Sequence, residues 1–375
     1  MKLAFKNIII PAFILILGFF FFNQQFHFLK DADYRENRQK AARPALDFRK
    51  LDAYPSAYEK YFTDHFSTRG YFLRYMSRLK FSLWNKSPKP DVVILGKENW
   101  LYNVDKELDE YNGKRNLDEA QLKLVLNEFL YRKEVLDSMG IDMVIGILPT
   151  KYTIYPEFLP DLLYISGRQN AAAGLISYIE NNSDFQIFYP LELLDSLKRN
   201  SRVYYKNDNH WNDIGAYHVA RALSGFISDT IPEIPLADFC FDTITRYGNL
   251  AYMSGNAELF PEQAVMLSKC KNDAVPFKKN QYPPIAYFAY PDEYHLGFTT
   301  HNPSLPDALF IRDSYTNMML PYLKNAFNQS TFIWDDWSYK FNLDIIRQEQ
   351  PDVVVYLILE SLIPNIVEKG LTAHE

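Results

Sequence analysis

The chain reads IDMVIGILP over residues 141–149, and this stretch decides the fold class. It is apolar on both faces of an extended strand, which is typical of a strand buried inside a parallel sheet. Residues 308–311 (ALFI) and 352–359 (DVVVYLIL) have the same character. Helical patterns occur over 117–139, 171–181 and 213–227. Buried strands that alternate with helices predict an α/β fold, a sandwich built on a mainly parallel sheet.

The remaining patterns divide the chain into three predicted segments. Residues 1–30 are expected to form a signal anchor, and 31–90 a helical juxtamembrane region, with one or two amphipathic helices over 58–84 that end near Ser87-Pro88. Residues 91–375 are expected to form the functional domain. Its first strands are predicted at 91–96, 99–102 and 185–189. Within it, 231–306 lacks a clear helix and is interpreted as a long insertion that shapes the site.

The N-terminal segment has the pattern of a membrane signal. Lys2 and Lys6 precede an apolar run over residues 8–22. No small residues follow to form a cleavage site, so we expect an uncleaved anchor, although a cleaved signal peptide remains an alternative. On this interpretation the protein crosses the cytoplasmic membrane once, and its main domain lies in the periplasm or outside the cell.

Composition excludes some classes of function. The chain has 375 residues, of which 47% are hydrophobic and 16% aromatic, so most of it is a folded globule. The formal net charge of −6 argues against a nucleic-acid-binding protein. The aromatic rings are compatible with carbohydrate binding but also with an ordinary core. Cys240 and Cys270 fit no metal site, and the sequence leaves open whether they form a disulfide. We expect no metal and no cofactor.

Ser314 is the candidate nucleophile because of its setting. The predicted strand over 308–311 stops at Arg312-Asp313-Ser314, and the residues after it are expected to be helical. A serine at such a turn lies at the carboxyl edge of the sheet, near backbone N–H groups that could stabilise an oxyanion. The alternative is that Ser314 simply caps the helix.

Asp208 and His210 are the candidate partners of that serine. An imidazole can take the proton from a serine, and a nearby carboxylate can orient and stabilise the imidazole. Because the Asp208–Trp211 loop also precedes a helix, we expect it at the same edge as Ser314. The alternative is a plain helix-start loop in which Asn212 or Asp213 is the cap.

A third segment, PTKYTIYPE over residues 149–157, follows the buried strand and brings a lysine and tyrosines to the same edge. Lys151 could bind a carboxylate or steady an acyl group. Alternatively, Lys151 is a solvated loop residue and the tyrosines pack in the core.

Taken together, four motifs make the sequence resemble a known family. They are, in order, GKENWLY at 96–102, PTKYTIYPE at 149–157, Asp208-Asn209-His210-Trp211 and Arg312-Asp313-Ser314-Tyr315. The combination resembles the SGNH-hydrolase-like alginate O-acetyltransferases, which include periplasmic alginate acetylation proteins and proteins named for an Asp-His-His-Trp motif. The resemblance spans about residues 35 to 365, and it includes the order in which the Asp-x-His pair precedes the serine.

The resemblance implies O-acetylation of an extracytoplasmic polysaccharide on a permuted, flavodoxin-like SGNH sandwich. Ser314 would carry the acetyl group, His210 would act as general base and then acid, and Asp208 would orient His210. The acetyl group would come from a multi-pass membrane acyltransferase of the MBOAT type. By position and resemblance, we assign the substrate contacts to Lys151, Tyr155, Trp211, Arg312 and Tyr315.

Two positions depart from the family pattern, and two other functions remain open. Asn209 replaces the first histidine of the Asp-His-His-Trp motif, and Tyr315 replaces a phenylalanine. An acidic chain also makes alginate a less certain acceptor than another glycan. An acetyl esterase would use the same three residues, and a non-catalytic scaffold of a polysaccharide export complex would need only the anchor.

Overall fold

A computed structural model of the chain describes residues 2–26, 28–29, 40–49, 51–84, 86–165, 168, 170–271 and 273–372. Two compact units are present. One comprises Met1–Ile94 with Tyr247–Phe260, and the other comprises Leu95–Arg246 with Pro261–Glu375. The strands are β1 (Val93–Leu95), β2 (Leu101–Asn103), β3 (Asp142–Leu148), β4 (Ile187–Phe188), β5 (Phe239–Arg246), β6 (Glu262–Cys270), β7 (Val275–Pro276), β8 (His295–Thr299), β9 (Ala308–Ile311), β10 (Gln329–Ile333) and β11 (Val353–Leu359).

Twelve α-helices are present in the described residues. They are α1 (Lys2–Phe26), α2 (Tyr54–Asp64), α3 (Arg69–Trp84), α4 (Lys106–Tyr111), α5 (Glu119–Ser138), α6 (Lys151–Ile154), α7 (Ala171–Asn182), α8 (Leu191–Leu197), α9 (Asp213–Ile227), α10 (Asn249–Met253), α11 (Leu320–Leu323) and α12 (Leu343–Glu349). The predicted helices at 58–84, 117–139, 171–181 and 213–227 are confirmed, and the bounds of α9 match the prediction at both ends.

The first unit is helical. Asn23 of α1 donates a hydrogen bond to the hydroxyl of Ser67 at 2.8 Å, and the ring of Phe20 packs against that of Phe72. Arg78 on α3 pairs with Glu258 at 2.6 Å. A helix therefore forms where the anchor was predicted. In the part of the chain that the structure describes, however, no helix has both the length and the apolar character needed to cross a membrane.

The second unit is built on a seven-stranded sheet with the order β4-β3-β11-β9-β10-β8-β7. Pairing is parallel from β4 through to β10 and antiparallel between β10 and β8 and between β8 and β7. All residues of β9 and β11 are buried. Each buried valine, leucine or isoleucine side chain contributes about 1.5–3 kcal/mol relative to exposure, so these central strands form the core.

The structure corrects several predictions about the sheet. It is mixed, because β8 runs against its neighbours. The insertion predicted over 231–306 is more than an insertion. Two of its short strands, β7 and β8, complete the edge of the main sheet, and β5 and β6 pair with each other outside it. The strands predicted at 91–96 and 99–102 are only three residues each and lie outside the main sheet.

The structure also shows the state of Cys240. Cys240, on β5, is exposed and is a free thiol. The disulfide that the sequence left open is therefore not formed.

Candidate active site

The nucleophile candidate lies at the carboxyl end of β9. Asp313 fixes the turn there, because its carboxylate accepts hydrogen bonds from the N–H groups of Tyr315 and Leu359 and from the hydroxyl of Tyr339, at 2.8 to 2.9 Å. Burial raises the pKa of Asp313, which these three donors oppose. The cap of the turn is thus Asp313, and the capping role considered for Ser314 is wrong. The half-buried Ser314 is left to make a different hydrogen bond.

That hydrogen bond joins Ser314 to His210. The Nε2 atom of His210 lies 3.1 Å from the Oγ atom of Ser314, and the Nδ1 atom lies 2.8 Å from Oδ1 of Asp208. A carboxylate can only accept, so Nδ1 carries the proton and Nε2 is the acceptor that faces the serine. The structure therefore brings together the three residues predicted from sequence, in the arrangement of a serine triad.

The loop that carries Asp208 and His210 is a tight turn outside the main sheet. Tyr204 and Trp211 form an isolated antiparallel bridge at its base. Asn212 caps α9 by accepting a hydrogen bond from the N–H of Gly215 at 2.9 Å. The predicted cap and the predicted catalytic pair are therefore both present, because adjacent residues of one loop serve the two purposes.

Two reciprocal hydrogen bonds fix this loop to the nucleophile's turn. The indole N–H of Trp211 donates to the carbonyl of Tyr315 at 3.0 Å, and the hydroxyl of Tyr315 donates to the carbonyl of Asn209 at 2.7 Å. The rings of Tyr315 and His210 pack with centroids 4.8 Å apart. Both Trp211 and Tyr315 are fully buried. They hold the imidazole against the serine and offer no surface to a substrate.

Lys151 holds the Asp208–Trp211 loop through hydrogen bonds to backbone carbonyls. Its ammonium donates to the carbonyls of Leu101 at 2.7 Å, Lys206 at 3.0 Å and Asp208 at 2.6 Å. Three acceptors use all three protons of the charged form. Burial lowers the pKa of Lys151 to about 7, and the carboxylates of Asp208, Glu262 and Glu107 act in the opposite direction. Lys151 is thus a buried structural cation. The interpretation of Lys151 as a solvated loop residue is wrong, because its side chain is buried.

The other two predicted substrate contacts are also internal. The hydroxyl of Tyr155 accepts the N–H of Val203 at 3.0 Å. The guanidinium of Arg312 donates to Asn317 at 2.6 Å and to the carbonyl of Glu293 at 2.8 Å. Tyr155 is 5% exposed and Arg312 is 0% exposed. The structure places every predicted substrate contact inside the protein, where it supports the loops that carry the triad.

Arg246 is a site residue that sequence reasoning missed. Its guanidinium lies 3.0 Å from Oδ2 of Asp208 and 3.7 Å from the ring centroid of Tyr205. Asp208 therefore binds His210 with one oxygen and an arginine with the other. The β-branched run Thr243-Ile244-Thr245 could have predicted the strand that ends at Arg246. No sequence pattern could have predicted which carboxylate that arginine would meet.

With the geometry established, comparison with known proteins identifies the family. The family model described as "SGNH hydrolase-like domain, acetyltransferase AlgX" matches residues 93–281, which is 189 of the 375 residues. The chain belongs to this family. The matched range contains Asp208, His210, Lys151 and Arg246, and it ends before Ser314.

Individual relatives agree with this assignment. The chain is 28% identical over 229 residues to a probable alginate O-acetylase AlgJ of Pseudomonas syringae pv. tomato, covering 59% of this chain and 49% of that protein. It is 26% identical over 197 residues to the protein of the same name from Pseudomonas aeruginosa, covering 51% and 46%. The chain thus spans about half the length of the curated relatives that it matches.

Solved structures support the fold. A DHHW family protein from Eubacterium siraeum superposes with a TM-score of 0.52 at 16% identity, covering 75% of this chain and 95% of that one. At this level of identity the similarity extends to the fold. The predicted SGNH-like α/β fold is therefore confirmed for this member of the AlgX-type family.

We expect Lys151→Met to destabilise the protein and to slow any reaction at Ser314. The three carbonyls would lose a charged donor inside the protein, and we expect the free energy of unfolding to fall by about 2–4 kcal/mol. Urea unfolding measures this loss, with Lys133→Met as control. Lys133 is about half exposed and pairs with Asp137 on the same helix, so its loss should change stability by about 0.5 kcal/mol or less. Equal stability of the two variants would contradict the anchoring role.

Proposed function

We propose that this protein is a serine-dependent O-acetyltransferase that moves an acetyl group onto hydroxyls of a cell-surface or exported polysaccharide. The observation that carries the proposal is the position of His210, 2.8 Å from Asp208 and 3.1 Å from Ser314. Membership of the acetyltransferase family supports the choice of acyl group, and relatives named as probable alginate O-acetylases support a polysaccharide acceptor.

The first half of the reaction loads the enzyme. The Oγ atom of Ser314 attacks the acetyl carbonyl of the donor while its proton passes to Nε2 of His210. The imidazole becomes positively charged, and Asp208 stabilises that charge through Nδ1. Arg246 holds the second oxygen of Asp208 and so fixes the carboxylate's orientation. The proton then leaves with the donor's leaving group, and an acetyl-serine ester remains.

The second half transfers the acetyl group. Neutral His210 removes the proton from a sugar hydroxyl, and the sugar oxygen attacks the acetyl carbon of the ester. The bond from that carbon to Oγ breaks, and Ser314 regains its proton from His210. The side chain of His210 is 20% exposed, so a sugar hydroxyl can approach it from solvent.

The donor and the location are also proposals. A membrane-bound MBOAT-type acyltransferase is our proposed source of the acetyl group, which the family resemblance supports. The lysine-flanked apolar run at the N-terminus supports a place on the outer side of the cytoplasmic membrane, with the anchor predicted over residues 1–30.

Acetyl transfer can be separated from hydrolysis in one experiment. The full chain is incubated with a chromogenic acetyl ester as surrogate donor, with and without an acceptor oligosaccharide, and products are followed by mass spectrometry. We expect acetylated sugar to accumulate, because a bound hydroxyl at the acyl-enzyme competes with water. If only free acetate forms with each of several acceptors, the transferase proposal is wrong, and the protein is an acetyl esterase with the same triad.

A further inference from the structure

A second cluster of side chains lies at the same edge of the sheet as Ser314, and the mechanism does not use it. Five aromatic rings, which we call the aromatic platform, pack on one another there. They are Phe288, Tyr290, Tyr294, Trp334 and Trp337. Tyr290 stacks on Trp334 with centroids 5.0 Å apart and planes at 12°. Trp337 meets Trp334 edge-on at 5.3 Å, and Phe288 does so at 5.4 Å.

The platform has a buried layer and an exposed layer. Trp334, Phe288 and Tyr294 are buried, whereas Tyr290 is 39% exposed and Trp337 is half-buried. One face of Tyr290 lies on Trp334, so its opposite face is the one open to solvent. Flat ring faces at the surface, backed by other rings, match the C–H faces of pyranose sugars in shape and polarity.

The platform is joined rigidly to the nucleophile's turn. Strands β9 and β10 pair in parallel with Ile311 opposite Ile333, so Arg312 and Trp334 follow on neighbouring strands. The guanidinium of Arg312 lies 4.9 Å from the ring centroid of Trp334. Asn317, in the turn that Ser314 begins, donates to the carboxylate of Glu293 at 2.6 Å. Trp334 is therefore placed beside the strand that ends three residues before Ser314.

The loop that carries Trp337 is held in a strained shape. Asp336, Trp337 and Tyr339 have φ values of 57°, 55° and 51° without being glycine, which costs about 1–3 kcal/mol each. The buried carboxylate of Asp335 maintains the shape by accepting the N–H groups of Ser338, Tyr339 and Lys340, at 2.8 to 3.2 Å. A loop maintained at this cost is a feature of ligand-binding regions.

Three carboxylates lie on the segments that carry the platform. Asp292 is exposed, Glu293 and Asp336 are half-buried, and all three carboxylates belong to the segments that carry the rings. Lys369 lies near Asp336, at 3.9 Å. A chain of uronates would bring a negative charge on every residue toward these carboxylates, at an electrostatic cost. An uncharged sugar meets no such cost.

We propose that the aromatic platform binds uncharged hexopyranose units of the acceptor, with one sugar ring stacked on the outer face of Tyr290. This site rests on the proposed acetyltransferase function, since it positions a neighbouring sugar unit near Ser314. It assigns the specificity of the chain for an uncharged glycan to residues 288–294 and 334–337.

Direct binding tests the platform without requiring any acyl transfer. The full chain carrying Ser314→Ala is titrated with cellohexaose, β-1,4-mannohexaose, N-acetylchitohexaose and hexameric mannuronate, and tryptophan fluorescence and calorimetry are recorded. We expect at least one uncharged hexaose to bind and the mannuronate to bind at least about 10-fold more weakly. Tyr290→Ala and Trp337→Ala should each weaken the binding about 10-fold, whereas Tyr290→Phe keeps the ring and stays within about 2-fold.

A matched control is available on α9. Phe226, near the end of α9, is 38% exposed, and Phe226→Ala should leave hexaose binding unchanged. Thermal unfolding checks that each variant is folded. The platform is refuted if no uncharged hexaose binds, or if Tyr290→Ala and Trp337→Ala bind as well as the parent. Tighter binding of the mannuronate overturns the uncharged specificity. The proposed triad is tested by a separate measurement: it is wrong if the Ser314→Ala variant still hydrolyses the ester.

Discussion

Ser314→Ala is expected to reduce hydrolysis of a chromogenic acetyl ester by about 10³- to 10⁶-fold. Removal of Oγ leaves His210 with no nucleophile to activate, so the covalent step is lost while the fold is kept. The substitution removes one oxygen from a half-buried side chain and its hydrogen bond of 3.1 Å to His210. The turn itself depends on Asp313, which the variant retains.

A matched variant separates loss of chemistry from loss of structure. Ser304 is an exposed serine that precedes the same strand, β9, at its other end. Ser304→Ala should hydrolyse the ester at the parental rate. Mass spectrometry of peptides quenched during turnover should also find one acetyl group on the peptide that contains Ser314. Parental activity in Ser314→Ala, or acetyl on another serine, would remove Ser314 as the nucleophile.

Asp208→Asn is expected to slow the same reaction by about 10³- to 10⁴-fold. An asparagine amide can donate to Nδ1 and so place the imidazole proton on Nε2, where it can no longer accept the proton of Ser314. The variant also loses the negative charge that stabilises protonated His210 and that pairs with Arg246 at 3.0 Å. Steady-state kinetics should show the loss in kcat, with a smaller change in KM.

The control for this variant removes a carboxylate from the same part of the chain. Asp242 lies exposed on β5, the strand that ends at Arg246. Asp242→Asn makes the same chemical change and should keep the parental rate. A rate within about 10-fold of the parent for Asp208→Asn would show that the carboxylate has no part in orienting His210.

Much of the sheet could be predicted because its central strands are buried on both faces. Such strands must be apolar throughout, and this pattern is visible in the sequence at 141–149, 308–311 and 352–359. Strand β10, with the sequence QSTFI, and the two-residue strand β7 were not predicted. Their strand character comes from pairing with distant segments, which local composition does not record.

The triad was the part of the site that the sequence could predict. The rule that strand-to-helix turns of a parallel sheet meet at one edge predicted that Ser314 and His210 would lie together. They do, although the loop that carries His210 lies outside the main sheet. The rule does not say how deeply each side chain is buried. Lys151, Arg312 and Tyr315 are polar residues near the edge, and the sequence offered no means of telling a solvent-facing side chain from a buried one. Burial of a polar group depends on partners that lie far away in the chain, such as the carbonyls that surround Lys151.

The three carbonyls around Lys151 have a consequence for the order of folding. They belong to Leu101, Lys206 and Asp208, which are 50, 55 and 57 residues away along the chain. Closing such long loops is slow and is favourable only once the surrounding segments have collapsed. We therefore expect the Asp-x-His turn to acquire its final geometry late, after the segments that carry Leu101 and Lys151 have come together. Catalytic activity should therefore be the last property to recover during refolding. Hydrolysis of an acetyl ester would then measure formation of the native state and not of a compact precursor.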